Sequence, residues 1–330
     1  MNSKGKARFD GPRSTFGVSS AIPQKSRRGV RPHNDHTGTV HRFGRGSPIK
    51  PVVVVPIHKP LPSATELVSL RQCGKLLARR DIKILAPEGL DLVEYQSLLP
   101  GAGELRVAPH WMESRQAYNR MMISPLVFEA LQGYSHMLVH EADSIVLRDE
   151  LDYWCVQPYD YIGAPWFQGY SDAQPASPIL GVGNFGLSLH RLETAQRIMS
   201  SCRRWYSYKQ VAKDFVRGCQ GRTFRFRQGI RGLFASGQAR DAWRLYAGNC
   251  DAFWCYVVPE VYRPFKLAPP EAAARFAWEV LPKRCLEMCK GQLPFGIHAW
   301  ARYDFRFLRP YFQAFEIDLK EVDIHQAEAV

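Results

Sequence analysis

A chain of 330 residues with 45% hydrophobic and 12% aromatic residues carries enough apolar material for a sizeable core, as one large domain or two modest ones. That composition excludes a wholly disordered protein. The formal net charge of +13 is uneven: residues 1–50 and residues 203–244 each hold 11 Lys/Arg against 2 Asp/Glu, and the remainder is mildly acidic. Basicity confined in this way argues against nucleic acid as the main substrate of the body.

Residues 1–50 are poor in apolar side chains and rich in Gly, Ser, Pro and Arg, so burial cannot offset the entropy of ordering them, and a disordered basic arm is expected. The arm has no continuous apolar core of a secretory signal, and no apolar run in the chain approaches the roughly 20 residues of a spanning helix. The expected location is cytoplasmic, with peripheral contact between the basic segments and an anionic membrane surface. The eight cysteines include no C-x-x-C pair; their spacings match no zinc-ligand pattern, and reduced, buried thiols are expected.

From residue 51 the pattern alternates. "PVVVVPI" is a β-branched, wholly apolar strand buried on both faces, followed by a polar turn and a helix over 64–79. "IKILAPE" repeats the strand, "DLVEYQSLL" is a short helix, "GELRVAP" a third strand, and "SRQAYNRMMISPLVFEALQG" a long helix. "HMLVH" is then a strand that delivers Glu141 and Asp143. Such alternation predicts an α/β fold: a mostly parallel central sheet flanked by helices, with ligands outside the carboxyl ends of the strands. Residues 311–330 are set apart as a C-terminal tail.

Two carboxylates at the mouth of a buried strand carry a desolvation cost unless a positive group meets them. Asp149 is available to cap the helix that follows, so Asp143 is not needed for that role. An E-x-D arrangement of hard oxygen ligands suits a divalent ion, Mn2+ or Mg2+, that bridges a diphosphate.

"YNRMMIS", "HMLVHEADSIVLRDELDYW", "YDYIGAPW", "GVGNFGLSLHR", "CDAFWCYVVPE" and "PFGIHAW" occur in the order and approximate spacing of an uncharacterised domain family that resembles GT-A-fold nucleotide-sugar glycosyltransferases. The resemblance covers residues 51–310 and is carried most specifically by "YDYIGAPW" with "GNFGLSL". It implies a Rossmann-like sheet in a single catalytic domain, interrupted by a basic insertion at 203–244. It also implies transfer of a sugar from a nucleotide-sugar donor, UDP-sugar foremost, to a glycan or other hydroxyl acceptor. The other reading open at this point is a non-catalytic basic module that binds an anionic glycan, nucleic acid or membrane.

The remaining candidates follow. His298 is expected to complete a metal site with Glu141 and Asp143, the alternative being a hydrogen-bonded core histidine. Gly183 and Gly186 around Asn184 would let backbone approach a sugar while the amide reads hydroxyls; a glycine bulge entering a strand is the alternative. Asp251 lies beside "AFWCYV", where apolar neighbours raise its pKa toward that of a general base, or it caps a helix. Trp254 in the same run is expected to stack on a bound ring. His58 and Lys59, after the first strand, would touch phosphate or base, or else form a solvated turn. Arg120 would reach a phosphate, or pair within the fold.

Overall fold

The computed structural model describes residues 49–201, 242–246, 248–320 and 322, all within one compact unit spanning residues 47–330. The basic arm falls outside the described residues apart from Ile49 and Lys50, and so does most of the 203–244 insertion.

The centre is a six-stranded sheet of order β3-β2-β1-β4-β9-β6: β1 (Pro51–Pro56), β2 (Asp81–Pro87), β3 (Gly103–Val107), β4 (His136–His140), β6 (Tyr161–Ile162) and β9 (Leu187–Arg191). The pairs β1–β2, β1–β4 and β2–β3 are parallel, whereas β9 runs antiparallel to both β4 and β6. Strand order reverses between β1 and β4, so the carboxyl ends of these two strands border a topological switch point.

The period of two along β1 explains why every residue of "VVVV" is apolar. Val52 and Val54 enter one core with Phe128, Ile198 and Trp254; Val53 and Val55 enter the other with Leu70, Tyr95 and Phe276. Each fully buried side chain of this kind contributes roughly 1.5–3 kcal/mol of transfer free energy. One face is covered by α1 (Ala64–Leu76), α2 (Val93–Leu98) and α5 (Leu151–Val156), the other by α3 (Arg115–Met121), α4 (Pro125–Ala130) and α6 (Leu192–Met199). Helix α1 starts on a capping box: the Glu66 amide donates to Ser63 Oγ at 3.4 Å, and the Ser63 amide donates to Glu66 Oε2 at 2.7 Å.

Four expectations change. The long helix over 114–133 is two helices, because Pro125 supplies no amide hydrogen and Ser124 restarts the chain as an N-cap, accepting from the Leu126 amide. The helix expected over 64–79 ends at Leu76. Asp149 does not cap α5, whose N-cap is Glu150; its carboxylate instead receives Arg80 at 2.9 Å, and the same guanidinium reaches Asp152 at 2.7 Å. Finally, the tail begins later than residue 311. The helix Phe305–Ala314 runs through that boundary, and Phe312, Ile317 and Val322 are buried with Trp278 and Trp300.

Trp278 belongs to a second, three-stranded sheet of order β10-β11-β5: β10 (Ala277–Trp278), β11 (Gly296–Ile297) and β5 (Ile145–Val146). A ribbon of β7 (Pro165–Phe167) and β8 (Ile179–Val182) completes the described strands. The six described cysteines are free and buried, as expected. No helix among the described residues is long and apolar enough to cross a membrane.

Candidate metal centre

Both sheets end at the same place. Strand β4 releases Glu141 and Asp143 at its carboxyl end, and β11 releases His298. His298 Nε2 lies 3.5 Å from Glu141 Oε2 and 3.3 Å from Asp143 Oδ1, and one ligand atom from each residue falls within 4.8 Å of the others. The three residues singled out from sequence as metal ligands are therefore brought together.

Gly186 is what allows this approach. Its carbonyl accepts the Glu141 amide at 2.8 Å and the Ser144 hydroxyl at 2.9 Å, which fixes the carboxylate-bearing turn. A Cβ at position 186 would collide with the His298 ring. Gly183 answers to a different neighbour, since a Cβ there would strike the Trp166 indole. Both glycines thus serve close packing of side chains within the protein.

The other side of the ring is held as well. His298 Nδ1 is 2.8 Å from Asn184 Nδ2 and 3.2 Å from Glu279 Oε1. Asn184 adopts a left-handed backbone with φ of 59°, a conformation asparagine tolerates better than most side chains, and it is buried. Its amide touches His298, where sequence reasoning had it reading sugar hydroxyls. Glu279 was not anticipated. It follows a two-residue strand with no periodic pattern around it, and only the carboxylate–imidazole pairing marks it.

The electrostatics are those of an anionic pocket. Burial lowers the His298 pKa, but Asp143, Glu141 and Glu279 outweigh it and hold the ring well above its ordinary value. Burial likewise pushes the Asp143 carboxyl up, and His298 prevails to keep it low. Three carboxylates around one imidazole leave surplus negative charge, and two oxygen ligands with one nitrogen fit a divalent ion of intermediate hardness. A carboxylate on Nδ1 would keep the proton there and turn the Nε2 lone pair toward such an ion.

Asp251 stands close enough to share this field. Its pKa is raised to about 6, first by burial and then by Glu279 and Glu141. It is not a helix cap: Asn249 occupies the N-cap position of Cys250–Ala252. The next turn, Phe253–Val257, is a π-helix, at a place where Pro259 has no amide to bond back to Cys255. Tyr118 of α3 faces the same carboxylates, and burial followed by Glu141 drives its pKa well above the ordinary value.

Trp254 is corrected. It is fully buried in the core, with its indole N–H donating to the Met122 carbonyl at 3.3 Å and its ring edge-on to Phe128 and His190, so it presents no face to a ligand. Lys59, at the carboxyl end of β1, gives its ammonium to Glu66 at 2.6 Å, while His58 beside it is exposed. Arg120 lies on α3 with a buried Nε that has no hydrogen-bond partner among the described residues.

Residues 104–298 match a family described as a protein of unknown function, DUF5672. The chain belongs to this family. The matched segment starts in β3 and ends on His298, so it spans Glu141, Asp143, Asn184, Asp251, Glu279 and His298 and omits β1 and β2. No curated protein matches. Among solved structures, the galactosyltransferase LgtC with donor and acceptor sugar analogues is similar at 10% identity, over 80% of this chain and 94% of that one, with a TM-score of 0.43. The apo-form glycosyltransferase GlyE of Streptococcus pneumoniae is similar at 11% identity, over 85% and 62%, with a TM-score of 0.41. Core-mannan synthase A of Aspergillus fumigatus in its Mn/GDP form is similar at 9%, over 64% and 73%, with a TM-score of 0.34.

Proposed function

We propose that this DUF5672 chain is a metal-dependent glycosyltransferase that moves a sugar from a nucleotide diphosphate donor, a UDP-sugar foremost, to a hydroxyl of a glycan or other acceptor. The observation that carries the reading is the Glu141–Asp143–His298 group at the carboxyl end of β4, beside the switch point of the sheet and in the electrostatic reach of a half-buried carboxylate, Asp251. A bound divalent ion there, manganese favoured over magnesium by the imidazole, would neutralise the diphosphate and make it a better leaving group.

The chain's own residues do the rest. Glu141, Asp143 and His298 Nε2 would hold the ion, and Glu279, accepting the Nδ1 proton, would fix the imidazole plane. Asp251, poised near neutrality, accepts the proton of the acceptor hydroxyl as its oxygen bonds to the anomeric carbon. The bond from that carbon to the diphosphate oxygen breaks, and the electron pair leaves with the diphosphate. Such a base serves an inverting transfer. His58, exposed after β1, and Arg120 would meet the nucleotide and its phosphates. In the same reading the basic residues of 1–50 and 203–244 dock the protein on an anionic membrane surface of the cytoplasm or on an acceptor.

Asp143→Asn tests the reading. Calorimetry should show loss of manganese-dependent UDP binding, with the circular dichroism spectrum intact. Unchanged UDP affinity in the presence of manganese would overturn the assignment.

A further inference from the structure

One aromatic cluster next to the candidate centre is not buried. Tyr170 is 50% exposed and Tyr256 is 38% exposed, while Trp166 beneath them is only 7% exposed. The Trp166 ring packs edge-on to Tyr170 at 5.5 Å and tilted to Tyr256 at 5.4 Å between centroids. The indole is itself seated on Gly183, where no side chain would fit. Two tyrosines therefore stand at the surface on a rigid aromatic floor.

The backbone accepts strain to put one of them there. Tyr170 has φ of 50°, following Gly169 at 97°. A left-handed backbone is costly for a large aromatic residue and is a glycine or asparagine position by preference. A fold that needed only the turn would place a small residue there. Strain of this kind gathers where a side chain must be displayed.

The position relative to the centre supplies the ligand's chemistry. Tyr256 follows Asp251 by five residues, on the π-helical turn Phe253–Val257 that directly succeeds the turn Cys250–Ala252 carrying Asp251. The aromatic floor joins the centre through the backbone: Trp166 sits on Gly183, and the next residue, Asn184, contacts the His298 ring at 2.8 Å. Burial first and then Glu279 of the centre raise the Tyr303 pKa, with Asp172 of the Tyr170 turn adding least. A group lying on the two tyrosines would extend toward the proposed base. A pyranose ring matches such a surface, because one of its faces is lined with C–H bonds while hydroxyls surround its rim.

We infer that Tyr170 and Tyr256, backed by Trp166, form a saccharide platform that binds the acceptor by stacking on its apolar ring face, and so limits acceptors to those with a pyranose next to the reacting hydroxyl. The inference rests on the glycosyltransferase reading for the word acceptor, and on exposure, ring geometry and strain for the platform itself.

Saturation-transfer NMR tests it with methyl β-D-glucopyranoside, methyl β-D-galactopyranoside and methyl α-D-mannopyranoside, and with acyclic sorbitol as the control. At least one pyranoside should receive saturation on the C–H protons of a single ring face, and sorbitol none. Tyr170→Ala and Tyr256→Ala should each weaken that pyranoside by about tenfold, the scale of one stacking contact, whereas Tyr170→Phe and Tyr256→Phe should retain it. Tyr170→Gly should lose the signal while its melting temperature stays at or above that of the wild type, since glycine relieves the left-handed strain.

Silence from all three pyranosides with the wild type, undiminished signals from the alanine variants, or a Tyr170→Gly melting temperature lowered like that of a core substitution would overturn the platform. Manganese-dependent UDP binding of the wild type, measured on the same preparation, separates the two readings. UDP binding without pyranoside signal defeats the platform alone; pyranoside signal without UDP binding defeats the glycosyltransferase reading and leaves a saccharide-binding surface.

Discussion

The two sheets that meet at the candidate centre are built on different terms. The six-stranded sheet is built around β1 and β4, every residue of which is buried. The three-stranded sheet consists of two-residue strands and depends on the tryptophans and phenylalanines packed behind it, Trp278, Trp300, Phe305 and Phe312. The first fixes Glu141 and Asp143; the second fixes His298 and places Glu279 against it. Regularity supplies the scaffold, and an irregular appendage completes the chemistry.

Substitutions can separate these contributions. Leu138 is fully buried at the middle of β4, so Leu138→Ala should cost about 2–5 kcal/mol of unfolding free energy in a denaturant titration. Its effect on UDP affinity per folded molecule should be small, because the change lies in the scaffold below the carboxylates. A Leu138→Ala variant that stays stable yet loses UDP would mean that scaffold and site are not separable.

Asp251→Asn keeps the shape and removes the base. Turnover should fall roughly 100-fold, with donor and metal affinity near those of the wild type. Product anomericity by NMR completes the measurement: an inverting wild type whose Asp251→Asn variant turns over at nearly full rate rules the base out.

Glu279→Gln addresses the smaller sheet alone. With its partner neutralised, the His298 ring loses a charged orienting contact, and manganese affinity should drop by about 10–100-fold while the melting temperature barely moves. An unchanged manganese isotherm would show that the imidazole needs no charged partner on Nδ1.

A pH dependence of stability also belongs to the large sheet. His136 on β4 and His190 on β9 are buried, which pushes their pKa values down from 6.5 to about 4 and about 3. The unfolded chain therefore takes up protons first as the medium becomes acidic. Stability fully present above pH 6.5 should be lost on going down toward pH 4, by up to about 1.4 kcal/mol per pH unit for each ring. His190→Phe should make the slope of unfolding free energy against pH shallower by close to one proton over that range. An identical slope would place the uptake elsewhere.

The same contrast governs what could be read from the sequence. In the large sheet, periodicity carries the information: "VVVV" can be satisfied only between two apolar layers, and the E-x-D after "HMLVH" could be placed at the ligand side before any coordinates. The small sheet has no period to read. Two-residue strands leave no pattern, and His298 was reachable only because its family motif matched. Glu279 lay beyond reach, since nothing local distinguishes it from a solvated glutamate. Trp254 misled for the opposite reason: an aromatic residue three positions from a half-buried carboxylate suits a stacking site and a core equally, and its complete burial with the Met122 carbonyl at its N–H decides. Tyr256, two residues further on, is the aromatic of that run that reaches the surface.

The distance along the chain between the two halves of the centre has a consequence for biosynthesis. His298 is polymerised 155 residues after Asp143, which at about 5–20 residues per second is a delay of many seconds on the ribosome. From Arg191 onward the six-stranded sheet has all its strands while the carboxylates still lack their imidazole. A nascent chain or a fragment truncated before β11 would have the carboxylate pair but not the complete ligand set, so competence to hold the ion arrives late, as a check that the final third of the chain has docked.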